Sequence, residues 1–166
     1  MEMAVGDVVV YAAYGLGRVA SRERALVQDV EQEMVVLEFD EGLTVSLPFE
    51  RAHEQLRALA SEAEIGRVQE TLREDRAVSN EPWLSRQREA RAKLAGGDPL
   101  GLAEIVRDGA ARTRSLVAKG SKSQLSPGER DIFVKARRLL CSEIAHVRGL
   151  GVTEADDWID VQLNHT

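Results

Sequence analysis

The hydrophobic period of this chain changes once, near residue 61, and does not change back. Before that point short β-prone runs alternate with turn signals. Val8-Val-Val-Tyr11 is a β-branched run, Gly15-Leu-Gly17 reads as a turn, and Arg18-Val-Ala20 opens a second strand. Val27 and Val30 mark a third candidate strand. Met34-Val-Val-Leu-Glu-Phe39 is strongly apolar, Asp40-Glu-Gly42 is a turn, and Leu43 to Leu47 alternates with period two until Pro48 ends it. His53 falls in the loop that follows.

After residue 61 the apolar residues recur at helical spacing. Ser61-Glu-Ala-Glu64 has the form of a capping box, in which the serine accepts from the N3 amide and the glutamate reaches back. Ile65, Val68 and Leu72 continue the helix to about Asp75. Residues 76–82 form a linker ending in Pro82, which suits a helix start. The next helix carries Trp83, Arg86, Arg91 and Leu94, and Gly96-Gly97 stop it. Asp98-Pro99 opens another, which reaches about Lys119. Gly120 to Ser123 reads as a flexible polar loop. Ser126-Pro-Gly-Glu129 is the clearest start signal in the chain, with a serine cap, proline at N1 and glutamate at N3. Its helix extends to about Arg148, and Thr153-Glu-Ala-Asp156 begins a last short one.

Strands first and helices after exclude an alternating βαβ sheet and predict an α+β chain or two domains. Several short strands in about 50 residues are too few for a sandwich and suit a small, barrel-like sheet of the Tudor/SH3 kind. The expected organisation is a small Tudor/SH3-like β domain over residues 1–58, then an all-α domain of about five helices over 61–166. With only two Trp, two Tyr and three Phe among 166 residues, aliphatic side chains must build the cores.

The net charge of −6 argues against a nucleic-acid partner until its distribution is considered. Residues 86–138 hold 13 Lys/Arg against 6 Asp/Glu, whereas residues 1–60 hold 5 against 11. A basic middle between acidic ends permits two surfaces with different partners. The simpler alternative is helices with charged, solvated faces. Met1 to Asp7 has neither the basic nor the apolar region of a signal peptide. No apolar run approaches a membrane span. The one cysteine, Cys141, permits no intramolecular disulfide. A cytoplasmic protein is therefore expected.

No catalytic pattern emerges. His53, His146 and His165 are not paired as metal ligands, and no P-loop, His-Glu-x-x-His or Gly-x-Ser-x-Gly is present. Gly15-x-Gly17 lacks the third glycine and the following helix of a dinucleotide site. Cys141 sits on the apolar side of a helix, where a core role outweighs a nucleophilic one. A non-enzymatic protein without metal or cofactor is expected.

Val5-Gly-Asp-Val-Val-Val-Tyr11 followed by Tyr14-Gly-x-Gly17 resembles the opening of the CarD/CdnL family of bacterial RNA polymerase-binding regulators. It also resembles the polymerase-interacting domain of the bacterial transcription-repair coupling factor. Three later blocks are similar to CdnL as well. They are Trp83-x-Ser-Arg86 leading into Leu94-Ala-Gly-Gly-Asp98, Ala103-Glu-Ile-Val-Arg-Asp108, and Leu125-Ser-Pro-Gly-Glu-Arg130 leading into Lys135-Ala-Arg137. The resemblance spans nearly the whole chain. Helicase motifs and a long basic, Pro-rich tail are not seen, so the short CdnL type fits best.

The resemblance implies a β domain that docks on the polymerase β subunit, partly by strand pairing at a sheet edge. Arg22 and Arg24 are the basic residues expected beside that edge, with Val27 and Ser46 also at the polymerase-binding surface. Many relatives carry arginine where this chain has Ser46, so that salt contact is not expected here. Trp83 would be core packing by composition. The resemblance instead implies an exposed ring inserted as a wedge at the upstream edge of the melted promoter. Arg86, Arg88, Arg130, Lys135, Arg137 and Arg138 are the expected phosphate contacts, although residues 137 and 138 lie about 100° apart on a helix. Such contacts position without reading sequence, so DNA binding should be weak, salt-sensitive and largely non-specific. A monomer is implied. Two other readings remain. One is an adaptor whose helical domain binds protein, with basic residues paired to acids such as Glu89, Asp108 and Asp131. The other is an enzyme with a deep polar pocket.

Overall fold

The computed structural model describes residues 2–120 and 124–165. The chain divides into two compact units, Met1–Leu59 and Ala60–Thr166. The first is an antiparallel five-stranded sheet and the second is helical, so the chain is α+β in the order its periodicity predicts.

The strands are β1 (Val8–Tyr11), β2 (Gly15–Val27), β3 (Val30–Glu38), β4 (Thr44–Pro48) and β5 (Leu56–Ala58), and their order across the sheet is β4-β3-β2-β1-β5. Three expectations need correction here. Gly15 and Gly17 belong to β2, and the turn lies just before them. Gly17 is required by packing, because an added Cβ would stand 2.7 Å from the Phe39 ring. Val27 and Val30 are not a separate strand. They face each other across the tip of the long β2–β3 hairpin, whose two linking residues, Gln28 and Asp29, have φ of 53° and 63°. A two-residue hairpin loop that matches strand twist demands such positive values. Finally, the segment after Pro48 is a short helix, α1 (Phe49–Gln55), followed by β5 paired to β1. His53 therefore lies on a helix and not in a loop. Met3, Val9, Val19, Val35, Leu37, Phe39, Leu47, Ala52 and Leu56 form this unit's core.

The helical unit holds α2 (Glu62–Arg73), α3 (Trp83–Gly96), α4 (Pro99–Ala118), α5 (Pro127–Arg148) and α6 (Val152–Leu163). Both serine capping boxes form as their sequences require, at Ser61/Glu64 and Ser126/Glu129. Gly97 and Gly149 terminate α3 and α5 in the left-handed conformation. The last helix begins one residue before Thr153, with Gly151 as its cap. Of the expected polar loop, Ser121 to Ser123 lie outside the described residues. Ile65, Val68, Leu72, Leu102, Val106, Leu140, Ile144 and Ile159 are among the residues of one shared core. Helices α4 and α5 approach closely at Gly109, where a Cβ would meet the Phe133 ring at 2.2 Å.

Candidate functional site

Helix α3 begins without a side-chain cap. Pro82 occupies the cap position, and its first turn contains no acidic residue. Its periodicity presents two stripes. Gln87, Ala90 and Leu94 face the unit's interior, and Leu84, Arg88 and Arg91 face solvent. Trp83 stands at the interior stripe's N-terminal end, yet it remains 47% exposed and Leu84 60% exposed. Composition alone predicts a buried tryptophan, and the structure does not bury this one.

The first turn of α5 lies against that start. Trp83 Nε1 donates to Ser126 Oγ at 3.3 Å, and Arg86 Nη1 donates to Glu129 Oε1 at 2.8 Å. Arg86 also donates through Nε to the Glu81 carbonyl at 3.1 Å. Ser126 and Glu129 are the α5 capping box, so sequence inspection finds them as helix punctuation. Their reach to α3 spans 43 residues and leaves no local signal.

The other basic side chains divide into held and open groups. Arg137 is clasped by α6, donating to Asp156 Oδ1 at 2.8 Å and Asp160 Oδ1 at 2.7 Å. Burial opposes its charge, but the two carboxylates outweigh burial and raise its pKa. Lys93 behaves alike. Burial opposes charging, and Glu104 and Glu89 hold its pKa above the ordinary lysine value. Arg107, almost fully buried, pairs with Glu74 and Asp108. Arg88, Arg130, Lys135 and Arg138 form no ion pair among the described residues. Arg88, Arg130 and Arg138 are exposed and Lys135 is half-buried. Arg130 and Arg138 flank exposed Val134 on the outer side of α5, so residues 137 and 138 do serve different faces.

A cleft of about 340 Å³ opens between residues 74–81, α3, α4 and the start of α5. Its basic lining, including Arg86, Arg107 and Arg112, is matched by acids such as Glu74, Asp108 and Glu129. Arg112 is held by the Ser79 carbonyl at 3.1 Å, and burial followed by the neighbouring Arg86 charge lowers its pKa. Among the described residues no group of three or more His, Cys, Asp or Glu is placed to hold a metal. Cys141 is buried, its thiol directed to the Val152 carbonyl, and burial together with Asp156 pushes its pKa up. No helix of the described residues is long and apolar enough to cross a membrane.

In the sheet unit, Ser21 to Val27 of β2 pair only with β3, because β1 ends its ladder opposite Arg18. Arg24 therefore sits on a two-stranded ribbon with open edges, whereas Arg22, opposite Val35, has β4 beyond β3 and an open edge on the β2 side only. Arg22 pairs with Glu33 at 2.5 Å and lies over the Phe49 ring at 4.7 Å. Arg24 pairs loosely with Glu31 at 3.4 Å. Val27 is half-buried at the tip, beside exposed Leu26 and Val30. Ser46 is exposed on β4, which is an edge strand of the sheet.

Two family models match this chain. The CarD-like/TRCF RID domain matches residues 3–60, and the CarD C-terminal domain matches residues 67–160. The chain belongs to the CarD/CdnL family. It is accordingly an RNA polymerase-interacting regulator of the CarD/CdnL type, a family of non-catalytic regulators. The match to the RID domain covers the sheet with its open ribbon, and the CarD C-terminal match covers Trp83 and the basic residues of α3 and α5.

Proposed function

We propose that this protein holds the RNA polymerase β subunit through its sheet unit and stabilises the promoter open complex through its helical unit. Trp83 acts as the wedge. An apolar ring that fills the gap between unstacked bases makes the bubble slower to close. Arg22, Arg24, Val27 and Ser46 border the polymerase surface, where main-chain pairing along an open strand edge adds affinity. Arg88, Arg130, Lys135 and Arg138 contact phosphates. Arg86 and Arg137 are part of the same basic set, and each is already engaged by carboxylates, so their share is smaller. No cofactor enters this reading, and the protein works as a monomer in the bacterial cytoplasm.

The observation that carries the reading is Trp83 itself, about half exposed at an acid-free helix start. Ring insertion of this kind contributes roughly 1–3 kcal/mol, and about 1.4 kcal/mol is a tenfold change in lifetime. The test is the open-complex lifetime on a slow-opening promoter with cognate polymerase. Wild type should lengthen it, and Trp83→Ala should lose most of that gain while still binding polymerase. A variant that binds polymerase and retains the full gain refutes the wedge.

The adaptor reading rests on one observation. Arg86, Lys93, Arg107 and Arg137 are all paired with local acids, including the expected Glu89 and Asp108, although Asp131 has no such partner among the described residues. If wild type binds polymerase without changing the lifetime, the adaptor becomes the better reading.

A further inference from the structure

The first turn of α5 meets the first turn of α3 at three successive points. Ser126 Oγ accepts from Trp83 Nε1 at 3.3 Å and from the Glu129 backbone N–H at 3.3 Å. Glu129 Oε2 accepts from the Ser126 backbone N–H at 3.3 Å, while its Oε1 holds Arg86 at 2.8 Å. Gly128 lies between them. A Cβ there would come within 2.5 Å of Gln87 Nε2, which is buried with no hydrogen-bond partner among the described residues. Each of the two box residues thus has one task inside α5 and a second on α3. A serine hydroxyl oxygen has two lone pairs and a carboxylate has two oxygens, so neither task displaces the other.

An ordinary capping box needs only serine or threonine and, three residues on, glutamate or glutamine. Nothing in capping explains why a Cβ on the residue before the glutamate would have to displace the Gln87 amide, or why a tryptophan indole should reach the cap. The contacts with Trp83, Arg86 and Gln87 explain both. The Arg86–Glu129 pair is also the more buried of the basic contacts at this end, with side chains 21% and 16% exposed. An exposed ring on an uncapped helix start has several rotamers open to it, and an anchored indole N–H selects among them.

We propose that Ser126 and Glu129 are positioning residues for Trp83 and Arg86, and that the α5 cap presents the wedge in a fixed orientation. This rests on the wedge reading of Trp83. Ser126 holds the ring by its N–H and leaves its apolar edge outward. Glu129 fixes Arg86 one turn further along α3, so the turn that carries the ring cannot swing. Without the anchor the ring spends less time in the insertion-ready orientation, and the open complex closes sooner.

The experiment follows both the ring and the lifetime in the full-length protein. The chain has two tryptophans, so the indole N–H spectrum has two signals, and Trp83→Phe assigns them. Ser126→Ala should shift the Trp83 indole signal and speed its exchange with solvent, leaving the Trp158 signal in place as a control for folding. The lifetime gain should fall roughly 2- to 10-fold, the span of one modest hydrogen bond. Ser126→Thr keeps the hydroxyl and should restore both readouts. Glu129→Gln keeps the reach to the Ser126 N–H but weakens the hold on Arg86, so it should lower the gain less. Loss from Ser126→Ala should not add to that of Trp83→Phe, which has no N–H to anchor. A folded Ser126→Ala protein with an unchanged Trp83 signal overturns the proposal. So does failure of Ser126→Thr to restore it. Should Trp83→Ala leave the lifetime intact, the wedge reading fails, and the indole signal alone decides whether the anchor exists.

Discussion

At single residues, two close approaches set clear expectations. Gly109 faces Phe133 with no room for a side chain. Gly109→Ala should therefore destabilise the helical unit by roughly 1–3 kcal/mol, although alanine favours helices elsewhere. A urea unfolding midpoint lower than wild type with unchanged slope checks this, and an unchanged or higher midpoint contradicts it. Cys141 offers a second case. Its thiol is buried first and lies near Asp156 second, and both raise its pKa. A group whose pKa is raised by folding adds stability below its unfolded value and loses it as pH climbs through the folded one. Stability should thus decline above about pH 9 more steeply than in Cys141→Ala, and iodoacetamide should label native Cys141 slowly at about pH 8. Rapid labelling of folded protein would show an accessible thiolate instead.

At the scale of elements, adjacent arginines on α5 have opposite fates. Arg137 turns to α6 and binds Asp156 and Asp160, whereas Arg138 is exposed and forms no ion pair among the described residues. Arg137→Gln should loosen α6, seen as faster amide exchange over residues 152–163, with little change in the salt dependence of DNA binding. Arg138→Gln or Arg88→Gln should reduce that salt slope by about one and leave α6 protected. The reverse pattern would place Arg137 on DNA and its clasp in the unbound state only. The hairpin of β2 and β3 makes a parallel case in the sheet unit. Its Arg22–Glu33 and Arg24–Glu31 pairs run along one face of the hairpin, whose β2 edge is open beyond Arg18 and whose β3 edge is open before Met34. Exposed pairs contribute about 0–1 kcal/mol, so Arg24→Ala should leave folding intact, and any loss of polymerase binding would come from the surface itself.

For the molecule as a whole, the charge is segregated along the chain. An acidic sheet segment precedes a segment with an excess of Lys/Arg, and a net negative total hides the second. Free protein should bind duplex DNA only at roughly 10⁻⁴–10⁻⁶ M in physiological salt, without preference among sequences. Polymerase then supplies locality through effective concentration. Fluorescence anisotropy with two unrelated duplexes tests this, and tight binding to one of them refutes it.

What the amino-acid sequence determined by itself is the local part. The change of period near residue 61 ordered strands before helices, and Ser61, Ser126, Gly97 and Gly149 start or stop helices where their chemistry requires. Those signals act within about four residues, because capping and periodicity are short-range. Tertiary structure decided the remainder. Residues 49–58 are too short and mixed for a period to show, and α1 and β5 form there because the sheet supplies β1 as partner and a core for Ala52 and Leu56. The same holds for the site. Whether Trp83 is buried, and which arginines remain open, depends on carboxylates and a hydroxyl brought together from 19 to 43 residues away. No local pattern encodes such pairings, since they exist only once helices pack.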